Sequence, residues 1–309
     1  MIIKQEADMR TIKKKRVGFV GVGAMGKPMA LNIMKADFPL TVYDIREESL
    51  AEMRELRAEV SERALDLGKD ADVVVVMVRT YPQIRQVIFP PEGVLSGMRG
   101  GSTLVVMSSI SPLEIKELEE VARESGVSVI DAPVSGGRKG AQDGTLTIIV
   151  GGDAKVVENQ GDVLKAMGKN IYHVGEVGHG QAFKMINQLL VAANIVSVAE
   201  ALILARKLDL DLSLLLEVIS NSDGDSRVWR TRVPRILNND LHAGGALNIL
   251  VKDTRTIMNT GMALKSPLPV SSIACQLYQW AESRGLGELD DEAVFQILEE
   301  FAQIKVLRE

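Results

Sequence analysis

The chain has little of the chemistry that staples or metallates a fold. One cysteine, Cys275, in 309 residues excludes an internal disulfide and suits a reducing cytoplasm. Three widely spaced histidines beside it present no metal-ligand spacing, so no metal site is expected. Positive charge is also short. Against 41 Asp and Glu stand 36 Lys and Arg, a net charge of −5, which excludes a nucleic-acid binder that relies on a global positive field. No apolar core follows the polar residues 1–16, so the start does not read as a secretory signal. The basic run Lys13-Lys14-Lys15-Arg16 reads as the end of a solvated, flexible tail. Leu189 to Ala205 tempts a membrane reading, but it is short of the ~20 residues needed to span a bilayer. Asn194, Ser197 and Glu200 interrupt it, and it reads as a helix buried in a domain or a subunit interface. No solenoid repeat and no low-complexity segment is present.

What remains is an ordinary globular balance, 46% hydrophobic and 25% charged. The length suits two domains at about 150 residues each. The most informative stretch is Val17-Gly18-Phe19-Val20-Gly21-Val22-Gly23-Ala24-Met25-Gly26, an apolar run feeding Gly-x-Gly-x-x-Gly and then a helix-prone segment. That is the order of a dinucleotide-binding βαβ unit. Gly21 serves the tight turn, Gly23 lets the backbone approach a pyrophosphate, and Gly26 lets helix and sheet pack closely. The helix N-terminus offers free N–H groups to the phosphates. A second strand, Leu40 to Tyr43, ends in Asp44, near the offset of about 20 residues expected for the acid that bonds a ribose 2′-OH. Asp44 favours NAD. Arg46 stands two residues on, where it can shield that charge, so NADP stays open.

Apolar runs at Asp72–Val78, Thr103–Met107, Val127–Ile130 and Leu146–Val150 alternate with helix-like segments, as in a mostly parallel, doubly wound sheet. From Gln181 onward only helices and breaks are expected. They cover about Ala182–Leu208, Asp211–Ser220, Arg227–Leu237, Val251–Ala263, Pro269–Arg284 and Asp291–Lys305. The expected fold is α/β, a Rossmann-type dinucleotide-binding domain over residues 1–180 followed by an all-α domain over 181–309 for substrate and oligomerisation.

Two further segments can carry chemistry. Asp131-Ala132-Pro133-Val134-Ser135-Gly136-Gly137 follows a strand, and its hydroxyl and glycine amides can cradle a carboxylate. Read alone it is better taken as a small-residue turn. Gly178 to Gln188 places Lys184 and Asn187 on one helix face among apolar neighbours, a costly setting for a lysine without a task or a partner. Read alone, a lysine such as Lys184 is more often a snorkelling side chain at a helix N-terminal turn.

Taken together, these segments resemble a known family. Gly-Val-Gly-Ala-Met-Gly-Lys-Pro-Met-Ala, Asp-Ala-Pro-Val-Ser-Gly-Gly, Ala141-Gln142-Asp143-Gly144-Thr145-Leu146, the pattern Gly-x-x-Gly-x-Gly-x-x-x-Lys-x-x-Asn-Gln and Lys252-Asp253 occur in this order. The chain is similar over about residues 16–305 to the β-hydroxyacid dehydrogenase family. That family includes 3-hydroxyisobutyrate dehydrogenase, tartronate semialdehyde reductase and 2-(hydroxymethyl)glutarate dehydrogenase. The resemblance implies Lys184 as catalytic lysine, Asn187 beside it, and Ser135, Gly136 and Gly137 as the substrate-carboxylate loop. It implies cofactor contacts at Gly21, Gly23, Ala24, Met25, Gly26, Asp44, Val78, Arg79, Ser109 and Lys252. The implied reaction is hydride transfer between NAD(P) and a short 3-hydroxy acid, in a homodimer or homotetramer, with no nucleic-acid or membrane partner. Asn187-Gln188 resembles the tartronate semialdehyde reductase pattern. Val78-Arg79-Thr80-Tyr81 departs from the family's Leu-Pro-Asn, and Val106 replaces an acid; Tyr81 adds bulk and a hydroxyl near the cofactor edge. The alternatives are an imine reductase, against which Lys184 speaks, and a catalytically silent dinucleotide-binding interaction module. An oxidative decarboxylase of the 6-phosphogluconate dehydrogenase type needs a much larger helical region.

Overall fold

The computed structural model describes residues 14–89, 91–241 and 245–307. In chain order it opens with β1 (Val17–Val20), α1 (Gly26–Lys35), β2 (Leu40–Tyr43), α2 (Glu47–Glu55), β3 (Glu59–Val60) and α3 (Ala64–Asp70). There follow β4 (Val73–Val76), α4 (Tyr81–Ile88), α5 (Val94–Gly97), β5 (Thr103–Val106), α6 (Pro112–Glu124) and β6 (Ser128–Asp131). These six strands pair in parallel in the order β3-β2-β1-β4-β5-β6. Each face is covered, so β1, β4 and β5 are buried along their whole length. Alternate valines of β4 go to opposite cores. Val73 and Val75 join Met29 and Ile33 of α1, whereas Val74 and Val76 join Ile84 of α4 and Ile115 of α6. The strand order reverses between β1 and β4, and the crevice at their carboxyl ends is where such sheets take ligands.

The sheet then changes direction. β7 (Val134–Ser135), α7 (Gly137–Asp143), β8 (Leu146–Gly151), α8 (Ala154–Asn159), α9 (Gly161–Met167) and β9 (Gly168–Gly175) follow. β8 runs antiparallel to β6 and β7, and β9 runs parallel to β8. β9 was not among the expected strands. Most of its residues are exposed or half-buried, so it shows no apolar run.

The remainder is helical: α10 (His179–Lys207), α11 (Leu212–Ser220), α12 (Arg227–Leu237), α13 (Leu247–Ala263), α14 (Pro269–Ser283), a 3-10 turn (Asp291–Val294) and α15 (Phe295–Ala302). Asp211 and Ser226 cap α11 and α12 through their side-chain oxygens. The helix expected over Asp291–Lys305 is split and ends early, because Gln303 takes a left-handed conformation, φ 52°. α10 is long and apolar enough to cross a bilayer by length and composition. It packs instead against β8, α12, α13, α14 and α15 and is the core helix of this half.

Of the flexible tail expected over 1–16, residues 14–16 are tied to the fold. Arg16 bonds Asp72 at 2.9 Å, Lys15 bonds Asp162 at 2.5 Å and Lys14 lies 3.7 Å from Asp37. Residues 1–13 lie outside the described residues.

The helical half also buries a charge cluster. Arg232 of α12 bonds Asp291 at 2.9 and 2.8 Å and lies 3.4 Å from Glu292. Arg235 pairs with Asp290 and lies 3.2 Å from Glu292, which has no exposed surface. Burial, and then the neighbouring Asp291 carboxyl, pushes the Glu292 carboxyl up to about 8. The native state therefore keeps a proton that the unfolded chain has lost, and that stability drains away as pH rises from the ordinary carboxylate range to about 8. In Glu292→Gln this drain is absent. Thermal unfolding of both proteins across that range should show wild type gaining on the variant in acid; parallel curves would contradict the assignment.

Candidate active site

The glycine turn after β1 is shaped by close approach. Gly21 has φ +91°, and a Cβ there would lie 2.5 Å from the Met77 carbonyl oxygen. A Cβ on Gly26 would fall on the carbonyl oxygen of Gly21. Both positions demand glycine, and the resulting backbone cradle fits a dinucleotide phosphate. Ala24 and Met25 complete the turn into α1. Asp44, directly after β2, lies beside this cradle: its Oδ2 accepts the Val22 N–H at 2.9 Å and its Oδ1 the Arg46 N–H at 3.0 Å. The Arg46 guanidinium covers the same carboxylate, with Nε 3.2 Å from Oδ1 and Nη2 3.3 Å from Oδ2.

The ends of β4 and β5 continue the edge. Val78 N–H donates to Ser108 Oγ at 2.9 Å, and Arg79 N–H donates to Gln83, whose backbone N–H is in turn capped by Thr80. The Arg79 side chain is exposed. Tyr81 corrects an expectation. It is buried in the core with Ile84 and Ile88, with Arg85 over its ring, and burial pushes its hydroxyl up to about 12. It packs α4 rather than presenting bulk at the edge.

The second constellation starts from Asp131, the last residue of β6, whose side chain is fully buried. Its carboxylate accepts the N–H groups of Gly178 at 2.7 Å and Gln181 at 2.6 Å, which caps α10. The Gln181 side chain donates to Ser108 O at 2.8 Å and accepts Ile110 N–H at 3.1 Å. Helix and sheet edge are thereby locked together. Three residues on, Lys184 is 8% exposed. Its Nζ donates to Gln188 Oε1 at 3.0 Å, the oxygen that also accepts from Asn187 at 3.0 Å. Gln188 Nε2 donates to Asp253 Oδ2 at 2.7 Å. Asp253 pairs with Lys252 at 2.8 Å, and Lys252 donates to Ser109 O at 2.6 Å. Burial holds the Lys184 ammonium below the ordinary lysine range; Asp253 works against this and Lys252 with it.

The structure thus joins Lys184, Asn187, Ser109 and Lys252 in one hydrogen-bonded network. Ser135, Gly136 and Gly137 stand outside it, at the end of β7, where positive φ of 132° and 61° opens the two glycine amides at the start of α7. Asp131, Gln181, Gln188 and Asp253 were not assigned roles from the sequence. The available signals were acids at a strand end and in an apolar helix face. A groove of about 490 Å³ lies away from this network, between Arg284 and Leu286 after α14 on one side and α15 with the residues that follow it on the other. Its charges satisfy each other, Arg284 with Glu300 and Lys305 with Glu299.

Comparison with known proteins identifies the family. The family model for the NAD binding domain of 6-phosphogluconate dehydrogenase matches residues 16–175. The model described as NAD-binding of NADP-dependent 3-hydroxyisobutyrate dehydrogenase matches residues 178–298. The chain is 36% identical over 295 residues to 2-(hydroxymethyl)glutarate dehydrogenase of Eubacterium barkeri, covering 95% of this chain and 98% of that protein. It is 35% identical over 291 residues to 2-hydroxy-3-oxopropionate reductase of Escherichia coli, covering 94% and 99%. The structure of 3-hydroxyisobutyrate dehydrogenase from Mycobacterium tuberculosis with L-serine matches at TM-score 0.87 and 30% identity, over 92% of this chain and 99% of that one. The chain belongs to the β-hydroxyacid dehydrogenase family, the NAD(P)-dependent oxidoreductases of short 3-hydroxy acids.

Asp131→Asn replaces one accepting oxygen with an amide that cannot take an N–H. The variant should lose about 1–3 kcal/mol of stability, read by denaturant unfolding. An unchanged midpoint would remove Asp131 from its place as the cap of α10.

Proposed function

We propose that this enzyme interconverts a short 3-hydroxy acid and its semialdehyde, of the tartronate semialdehyde or 3-hydroxyisobutyrate type. The observation that carries this is Lys184, buried with a lowered ammonium pKa and aimed into a polar network at the carboxyl edge of the sheet. The 3-hydroxy acids and semialdehydes named for the relatives support the substrate class, as does L-serine, itself a 3-hydroxy acid, in the mycobacterial structure.

A nicotinamide bound at this edge supplies or takes up the hydride. Gly21, Gly23, Ala24, Met25 and Gly26 would receive its phosphates and Asp44 its adenosine ribose, with Val78, Arg79, Ser109 and Lys252 along the nicotinamide half. Ser135 and the amides of Gly136 and Gly137 hold the substrate carboxylate, which fixes the reacting carbon. In oxidation the neutral Lys184 amine takes the hydroxyl proton; in reduction its ammonium gives a proton to the carbonyl oxygen. Asn187 shares Gln188 Oε1 with Lys184 and so orients the lysine. A silent module would have no use for a buried lysine so connected, and the imine reductase reading has no group in its favour here.

The division into a dinucleotide-binding part, 1–180, and a helical substrate and oligomerisation part, 181–309, follows the start of α10. The exposed Phe183, Ile186, Leu190 and Leu204 on α10, with Val270 and Ile273 on α14, leave an apolar face that a second copy would cover. A cytoplasmic homodimer or homotetramer is the proposed working form.

Lys184→Ala should lower turnover by about 10²–10⁴-fold while leaving NADH binding nearly intact. Initial rates with NAD and NADP across 3-hydroxy acids and semialdehydes check this; a variant with near-normal rates refutes the assignment. Because only the neutral amine accepts a proton, wild-type oxidation should rise with pH and reduction should fall. Both midpoints should lie below the range of free lysine. Light scattering should give a dimer or larger; a monodisperse monomer rejects the proposed interface.

A further inference from the structure

Two helices that open onto the site are tied to each other by one buried amide. Asn32 lies on α1 and is 8% exposed. Its Nδ2 donates to the Ala141 carbonyl oxygen at 2.7 Å and lies 3.5 Å from that of Gln142. Both carbonyls belong to the last turn of α7, where C=O groups have no N–H partner within the helix. The Gly140 carbonyl is taken by the N–H groups of Gly144 and Thr145, and Asn32 takes the next two. The fit is close, because a Cβ on Gly144 would sit 3.5 Å from Nδ2.

α7 needs such a tie. It has seven residues, two of them glycines, and ends at Gly144. Two glycine-bearing turns do not hold a helix unaided. Of its residues only Gly140 and Ala141 are buried, so apolar contact adds little. Its place is therefore set at its ends. Before its start, Val134 and Ser135 pair with Ile148 and Thr147 of β8. At its end, Asn32 ties it to α1. α1 begins at the glycine turn after β1, and α7 begins at Gly136 and Gly137.

We propose that Asn32 is a positioning residue that couples dinucleotide binding to binding of the substrate carboxylate. The inference rests on the reading of the glycine turn as the phosphate cradle and of Ser135, Gly136 and Gly137 as the carboxylate loop. Phosphates at the start of α1 fix that helix, α1 fixes α7 through Asn32, and α7 fixes the two glycine amides. The coupling is reciprocal, so each ligand tightens the other by the same factor. A side chain that only filled space beside α7 would add stability and leave the two affinities independent.

Calorimetric titration of isobutyrate, a carboxylate with no hydroxyl to oxidise, reads the coupling without turnover. The dinucleotide probe is ADP-ribose, which has the phosphates and no nicotinamide to reach the loop. In wild type, saturating ADP-ribose should tighten isobutyrate by about fivefold or more. Asn32→Leu keeps the bulk without the donor, and Asn32→Asp sets a carboxylate oxygen against two carbonyl oxygens. Both variants should bind ADP-ribose alone as wild type does, bind isobutyrate more weakly and show no coupling. Hydrogen exchange of wild type needs no variant: ADP-ribose should slow the amides of residues 137–144. Independent binding in wild type, coupling that survives in Asn32→Leu, or exchange in α7 unmoved by ADP-ribose overturns the proposal alone. Wild type that fails to bind either probe overturns the reading of the site, and the proposal with it.

Discussion

The site depends on one buried carboxylate. Asp131 ends β6 at the edge where the parallel sheet gives way to antiparallel pairing, and its two oxygens receive the N–H groups of Gly178 and Gln181 at the start of α10. A helix of 29 residues is aimed by that contact. With α10 fixed, Gln181 reaches back to the β5 end and Lys184 faces the same edge one turn later. Lys252 closes the arrangement from α13 by holding the Ser109 carbonyl. Close packing enforces the geometry: a Cβ on Gly151 or Gly180 would lie within 3 Å of an Asp131 carboxylate oxygen. Sheet and helices thus meet through buried hydrogen bonds, and not only through apolar contact.

Much of this was legible in the sequence because parallel strands buried on both faces appear as unbroken Val-rich runs. β1, β2, β4, β5, β6 and β8 announce themselves so, and the glycine turn and Asp44 follow from spacing. β3 and β7 are two residues each and carry no period to read. The reversal of β8 is set by pairing partners distant in sequence, which no local pattern reports. At the site, Lys184 stood out as a cation among apolar neighbours. Gln188 and Asp253 did not, because their task exists only once α10 and α13 lie side by side. Tyr81 shows the converse: a conspicuous residue near the expected edge turned inward, since α4 needs its ring in the core.

One physical cause tunes two distant groups in opposite chemical senses. Removal from water disfavours charge, so it lowers the Lys184 ammonium and raises the Glu292 carboxyl. At Lys184 the result is an amine that loses its proton more readily than free lysine, opposed by Asp253, to which Gln188 links it. At Glu292 two arginines face three buried carboxyls, with Asp240 half-exposed at the rim, and a retained proton evens the buried count. The same withdrawal from water thus favours a neutral amine at the sheet edge and a neutral carboxyl in the helical half.

β9 carries a consequence for behaviour in solution. Among the described residues it pairs only with β8, so its outer backbone groups face away from any other strand. Such an edge invites a neighbouring molecule to add a strand. Lys169, Asn170 and His173 make this one hydrated and charged, poorly suited to sticking edge to edge. The polarity that hid the strand in the sequence is also its protection against uncontrolled sheet growth.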